Sequence, residues 1–217
     1  MIFDLLIFDF DGTLADTQKT IVEAKKEAAR QLGLHVASEE EYIATIGLSS
    51  QGGFRKVYPD LPEERMEHCV TVYRRIFDAM KEKIPPVLFP GTEEVLKTLK
   101  AQGKTLTIAS ARNKESLDAF LEGWGVRDLF AYVLSGDDTT RLKPHPEAVL
   151  KTMKDLSFSP EETLVIGDMP LDIAMGKDAG AYTCGVTYGN SNREDLTRAG
   201  ATYVVDAISE LLDLEMD

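Results

Sequence analysis

Four aspartates stand in two close pairs, Asp9 with Asp11 and Asp168 with Asp172. The first pair sits at the end of an apolar run. The second follows another such run and opens a helical stretch, where a spacing of four puts both carboxylates on one face. Four acids gathered at one site repel each other and raise their pKa values unless a cation joins them. An all-oxygen ligand set without Cys or His points to a hard ion, and Mg²⁺ with retained waters is the expected one. Lys143 adds a fixed positive charge. Acids, ion and lysine together still leave a slight negative excess, so a phosphate dianion needs further donors. Ser110, the neighbouring backbone N–H of Ala111 and helix N-termini are suited to supply them.

These residues must be positioned by a scaffold, and the apolar pattern describes one. Leu5–Phe10, Thr105–Ala109, Tyr132–Ser135, Thr163–Ile166 and Tyr182–Val186 are short runs rich in branched and aromatic residues. Each is followed by Gly, Ser, Asp or Asn and then by a helical segment. Continuous apolar strands alternating with helices predict a doubly wound α/β fold, a parallel sheet covered on both faces. In such a sheet ligands bind beyond the carboxyl ends of the strands. Asp9, Ser110, Lys143 and Asp168 all fall at or just after those ends.

Between Thr17 and Lys83 the signals are all helical. Ile21, Ala24, Ala28 and Leu32 recur at three-to-four spacing, and Gly33 stands where a helix would end. Ser38 and Glu41 have the spacing of a capping box. Met66, Val70, Tyr73, Phe77 and Met80 form a second stripe behind Pro62, a first-turn proline. Ile84–Pro90, with three prolines, reads as a stiff return linker. The expected organisation is therefore a core of residues 1–15 and 87–217 carrying an all-helical insert, residues 16–86. Leu14–Asp16 and Lys83–Pro90 are the expected hinge strands.

Each residue also has a plainer reading. A DxD at a strand end is most often a turn or helix cap, Asp172 a first-turn acid favoured by the helix dipole, and Ser110 an N-cap. His145 reads as a loop residue beside a helix start. Arg112 and Asn113 either reach substrate or form a solvated helix start, and the solvated start is the better expectation. In the insert, Gly47 to Arg55 is a Gly/Ser loop between helices. Gln51 or Arg55 there could touch the distal end of a substrate, or the loop could be a simple turn.

The set as a whole resembles the haloacid dehalogenase superfamily, in its branch with a helical cap inserted after the first strand. The pattern DxDGT[LV] is met by Asp9 to Leu14, the second-motif serine by Ser110, the lysine by Lys143, and GDxxxD by Gly167 to Asp172. All four occur in order across nearly the whole chain. The resemblance implies a Rossmann-like core. It implies Asp9 as nucleophile forming an aspartyl-phosphate, and Asp11 as acid and then base. It implies Ser110 and Lys143 as phosphoryl ligands, and Mg²⁺ held by Asp9, the Phe10–Asp11 backbone and Asp168. Asp172 would then be a ligand through water or an orienter of Lys143.

Asp11 is absent from dehalogenases of the superfamily, so phosphoryl transfer is expected. Ile21 stands where its sugar-phosphate mutases carry a histidine. Asp11 to Thr17, Gly185 to Gly189 and Gly200 to Asp206 resemble phosphoglycolate phosphatases, with pyrophosphatases similar in the same stretches. Ser110-Ala-Arg-Asn113 departs from the Thr-Asn-Lys of the former and leaves the substrate open. A receiver-type signalling module would share the Asp, Ser and Lys but lack the insert and the second Asp. A catalytically dead relative would have lost one of Asp9, Asp11 or Lys143.

Across 217 residues, 24 Lys and Arg face 37 Asp and Glu, a net charge of −13. Such a surface argues against nucleic acid or an anionic membrane as partner. A small phosphate ester as substrate, and a monomer or weak homodimer, are the expectations. The apolar N-terminus carries Asp4, Asp9 and Asp11, which reads as a buried strand rather than a signal peptide. Cys69 and Cys184 lie far apart without metal-ligand spacing and read as reduced core thiols. A cytoplasmic location is expected.

Overall fold

The structure, a computed structural model, describes residues 3–214. Its centre is β1, Leu5–Phe8, with every residue buried. The strand period of two divides these four residues between two cores. Leu6 and Phe8 join Leu106, Ile108, Leu164 and Ile166 on one face. Leu5 and Ile7 join Ala109, Val149, Val165 and Met175 on the other. A strand buried on both faces must be apolar throughout, which is why the run is continuous rather than alternating.

Five further strands complete one parallel sheet: β4 (Thr105–Ala109), β5 (Tyr132–Leu134), β6 (Thr163–Gly167), β7 (Tyr182–Val186) and β8 (Tyr203–Val205). The order is β5-β4-β1-β6-β7-β8. From β1 the chain steps outward through β4 to β5, then returns to β6 and steps the other way. The reversal falls between β1 and β6, where an open α/β sheet leaves a crevice at its carboxyl edge. The strand β8 lies beyond the five apolar runs; Tyr203 and Val204 are only half-buried, so it carries a weak signal. The first strand also stops two residues sooner than its apolar run.

Four helices fill the stretch between β1 and β4 nearest the N-terminus: α1 (Gln18–Gln31), α2 (Glu39–Ile43), α3 (Ser50–Val57) and α4 (Glu63–Lys81). Gly33 follows α1 at φ 65°, a left-handed turn open to glycine. Ser38 and Glu41 form the capping box of α2, while Pro62 is the N-cap of α4 rather than a first-turn residue. The helices bury their own apolar cluster, Ile21, Ala24, Phe54, Met66, Tyr73 and Phe77 among them. Two short strands flank the block, β2 (Ala15–Asp16) and β3 (Val87–Leu88), paired antiparallel. The chain thus leaves and re-enters the sheet region at one place. The remaining helices are α5 (Thr92–Ala101), α6 (Lys114–Gly123), α7 (Glu147–Leu156), α8 (Pro170–Asp178) and α9 (Arg193–Ala199). Cys69 and Cys184 are both free and buried. Among the described residues no helix is long and apolar enough to cross a membrane.

Candidate active site

The switch point of the sheet is where the aspartates meet. Asp9 follows β1, and its backbone N–H donates to the Ile166 carbonyl of β6 at 2.8 Å. The residue is 3% exposed. Lys143 Nζ donates to Asp9 Oδ1 at 2.5 Å and to Asp172 Oδ1 at 2.7 Å. Asp172 is further tied by the Met169 N–H, which donates to its Oδ2 at 3.1 Å at the start of α8. Its macrodipole reading and its tie to Lys143 therefore coexist in one residue. Asp168 receives both the backbone N–H and the side-chain amide of Asn190 on Oδ2, each at 2.7 Å. Thr13 Oγ1 donates to Asp168 Oδ1 at 3.3 Å.

Close approach of backbone makes this packing possible. A methyl at Gly12 (φ 89°) would lie 2.2 Å from Asp168 Oδ2, and one at Gly189 would lie 2.3 Å from the Gly12 carbonyl oxygen. Only glycine lets these loops close on the carboxylate.

Burial governs the electrostatics. Desolvation raises the Asp9 carboxyl well above the ordinary range; Asp172 and Asp168 push the same way and Lys143 opposes them. Asp168 is raised to about 7 by burial and by Asp172, against the lowering effect of the Asn190 bonds. For Lys143 burial pulls down, but Asp172 and Asp9 outweigh it and the ammonium is held charged. Asp9 Oδ2 is buried without any hydrogen-bond partner. Ligand oxygens of Asp9, Asp168 and Asp172 lie within 4.8 Å of one another. A buried all-oxygen cluster with an orphaned lone pair fits a hard divalent cation.

Asp11 is turned away from that cluster. It accepts from Thr17 Oγ1 at 2.7 Å, and from Arg112 at both oxygens, Nη2 to Oδ1 at 2.5 Å and Nε to Oδ2 at 3.2 Å. Its carboxylate is therefore not placed with the other three. Arg112 is not the solvated helix start expected from the sequence, because aromatic side chains from α4 and α6 enclose it. Its guanidinium lies over the rings of Phe77, Phe120 and Phe10 at 4.9, 5.1 and 5.5 Å. Its side chain is 9% exposed. Asn113, beside it, is the N-cap of α6, accepting from Ser116 N at 2.8 Å.

Asp9, Asp11, Ser110, Ala111 and Arg112 border one cavity of about 300 Å³ between the strand ends and the helical block. Ser110 is anchored by its N–H to the Leu134 carbonyl at 2.9 Å. From the block, Gly47, Leu48 and Ser50 reach this cavity; Gln51 and Arg55 do not. Gln51 Nε2 donates to Glu63 Oε1 at 3.1 Å, and Arg55 donates to Glu63 and to the Leu61 carbonyl. An acid at the start of α4 engages both side chains and holds them away from the cavity. His145 is occupied locally, with Arg141 and the Glu147 N–H.

Several residues of the site escaped the sequence reading. Asn190 had a signal, since it follows Gly189 just past a strand end. Thr13 and Thr17 lay within motif stretches, but nothing there pointed to their bonds to Asp168 and Asp11. Lys25, on α1 and 6% exposed at the cavity wall, carried no signal, because its surroundings come from the segment after α2, from α3 and from α4.

The family model of haloacid dehalogenase-like hydrolases matches residues 6–186. A Dickeya dadantii protein named "Probable phosphatase IndB" is 36% identical over 210 residues, spanning 96% of this chain and 91% of the relative. "Pyrophosphatase PpaX" of Halalkalibacterium halodurans is 29% identical, covering 99% and 97%. "Phosphoglycolate phosphatase" of Salmonella typhimurium is 30% identical, covering 94% and 89%. A crystal structure of a hydrolase from Pseudomonas syringae superposes with a TM-score of 0.86 at 25% identity, covering 96% and 95%. The chain belongs to the haloacid dehalogenase-like hydrolases.

Proposed function

We propose that this phosphatase of the haloacid dehalogenase-like family hydrolyses a small soluble phosphomonoester, phosphoglycolate-like in size, through a covalent intermediate on Asp9. One observation carries the reading. Asp9 is buried at the cavity floor with Oδ1 held by Lys143 and Oδ2 unpartnered. A carboxylate oriented through one oxygen with the other free is a positioned nucleophile.

In the first step the Asp9 carboxylate attacks phosphorus, the P–O bond to the leaving alcohol breaks, and Asp11 delivers a proton to the departing oxygen. In the second, Asp11 takes a proton from water, whose oxygen attacks phosphorus and expels the Asp9 carboxylate with phosphate as product. One carboxyl group serving as acid and then as base requires that it be held in place. Thr17 and Arg112 supply that hold. Ser110, the Ala111 N–H and Lys143 are positioned to take phosphoryl oxygens. Asp9, Asp168 and the backbone at Asp11 would hold Mg²⁺, with Asp172 acting mainly on Lys143. Bound there, the ion supplies charge neutralisation to the phosphoryl oxygens and relieves the mutual repulsion of the acids. Ile21 lines the cavity with an apolar side chain, which supports transfer to water over a mutase's second proton shuttle. Residues 16–86 would act as a cap moving on the β2–β3 pair and excluding water from the intermediate.

The test is phosphate release from p-nitrophenyl phosphate. Turnover is expected with Mg²⁺, lost after chelation, restored by Mg²⁺ and inhibited by Ca²⁺, whose looser coordination misplaces the groups. Full turnover after exhaustive chelation, or none with Mg²⁺, would overturn the reading.

A further inference from the structure

The helical side of the cavity holds a buried cation that the proposed chemistry leaves unused. Lys25 extends from α1 to the cavity wall and is 6% exposed. Its Nζ donates to Thr45 Oγ1, and Thr45 in turn donates to the Tyr42 carbonyl at 2.6 Å. An ammonium has three donors, so two remain. No carboxylate pairs with it among the described residues, although the acidic chain offers many. Its neighbour on the aromatic side is the Tyr73 ring, 6.0 Å away. Gly53 of α3 makes the space: a methyl there would lie 3.3 Å from Nζ and 3.4 Å from Thr45 Cβ.

A lysine kept for structure is normally paired when buried, because an unpaired charge out of water is costly. Methionine would fill the same volume without that cost. Burial lowers the Lys25 ammonium from its usual 10.5 to about 7; Asp11 favours the charge and Lys56 opposes it. The strand-end side already provides donors for the transferring phosphoryl group in Ser110 and Lys143. A cation offered from the opposite layer of the fold is left for the part of the substrate that departs.

We propose that Lys25 is a specificity-determining residue whose ammonium takes a second anionic group, a carboxylate or a phosphate, on the leaving-group side of the substrate. The assignment rests on the phosphatase reading above. It makes esters with charged leaving groups the preferred class and explains why the ammonium has no acid of its own.

The experiment compares kcat/KM of wild type and Lys25→Met on 2-phosphoglycolate and pyrophosphate against glycerol phosphate and p-nitrophenyl phosphate. Lys25→Gln serves as the second variant should the methionine protein fold poorly. The ratio of anionic to neutral leaving groups is expected to fall by at least about tenfold, the effect of losing one charge-assisted hydrogen bond. A larger fall with 2-phosphoglycolate identifies a carboxylate, and a larger fall with pyrophosphate a phosphate. A ratio unchanged within about twofold, whether both rates drop or neither does, would overturn the assignment. If the wild type turns over none of the four, the phosphatase reading fails and Lys25 is judged by calorimetry. Kd for 2-phosphoglycolate or pyrophosphate at least about tenfold weaker in Lys25→Met upholds it, and equal Kd or no binding by the wild type refutes it.

Discussion

The two walls of the cavity are built on opposite plans. On the sheet side the charged groups at the strand ends are already engaged: Asp9 and Asp172 on Lys143, Asp168 on Asn190, Asp11 on Arg112 and Thr17. On the helical side the ion pairs Lys81–Asp78, at the cavity, and Arg55–Glu63, away from it, are partly exposed, and the buried cation at the wall, Lys25, has donors to spare. A dense network fixes geometry, which bond-making at phosphorus needs. Spare donors on a separate layer suit a group that differs from one substrate to another. The contrast separates chemistry from choice.

Changes that break the chemical wall should dominate. Asp9→Asn keeps shape and hydrogen bonding and removes the attacking charge, so kcat should fall by at least about 10³-fold while the circular dichroism spectrum is retained. Substantial activity in the pure variant would remove Asp9 from its role. Arg112→Met keeps most of the packing against Phe77 and Phe120 but frees Asp11. A loss of about 10- to 100-fold in kcat is expected, larger than the change in KM, because the acid is misplaced rather than deleted. A pure KM effect would mean that Arg112 binds substrate instead.

The choosing wall should answer in another way. Lys25 has a folded pKa of about 7 against an ordinary 10.5, so the unfolded chain binds its proton more readily and the buried ammonium destabilises the fold. The penalty is full below pH 7 and fades as pH rises towards the ordinary value. Lys25→Met should therefore melt higher than wild type at pH 6, by about 2–4 °C for each kcal/mol regained, with the gap closing by pH 10. A gap that widens with pH would show that Lys25 is paired in solution. The smallest effects belong to Gln51→Ala and Arg55→Ala, which touch Glu63 rather than the cavity. Each should change kcat/KM by less than about twofold on any phosphate ester. Uneven changes across substrates would bring their loop back into substrate reading.

Much of the molecule was legible from local pattern. Five of the six sheet strands, the helical insert and its capping signals follow from periodicity and turn residues, all short-range properties. The grouping of Asp9, Asp168 and Asp172 with Lys143 was legible because strand ends in a doubly wound sheet converge, so positions far apart in sequence share one edge, whereas Asp11 turns to Arg112 and Thr17. What stayed hidden depends on residues that no local window contains. Arg112 looks like a solvated helix start in Ser110-Ala-Arg-Asn113, and only Phe77 from α4 and Phe120 from α6 turn its position into an aromatic box. Gln51 and Arg55 look available until Glu63 folds back onto them. Lys25 occupies an ordinary place in an amphipathic helix, and its charge becomes unusual only when Thr45, Gly53 and Tyr73 close around it. Residue type and spacing determine which groups the chain can bring to a strand end. Burial and partnership, which set pKa and availability, are properties of the packed layers, and the tertiary structure alone decides them.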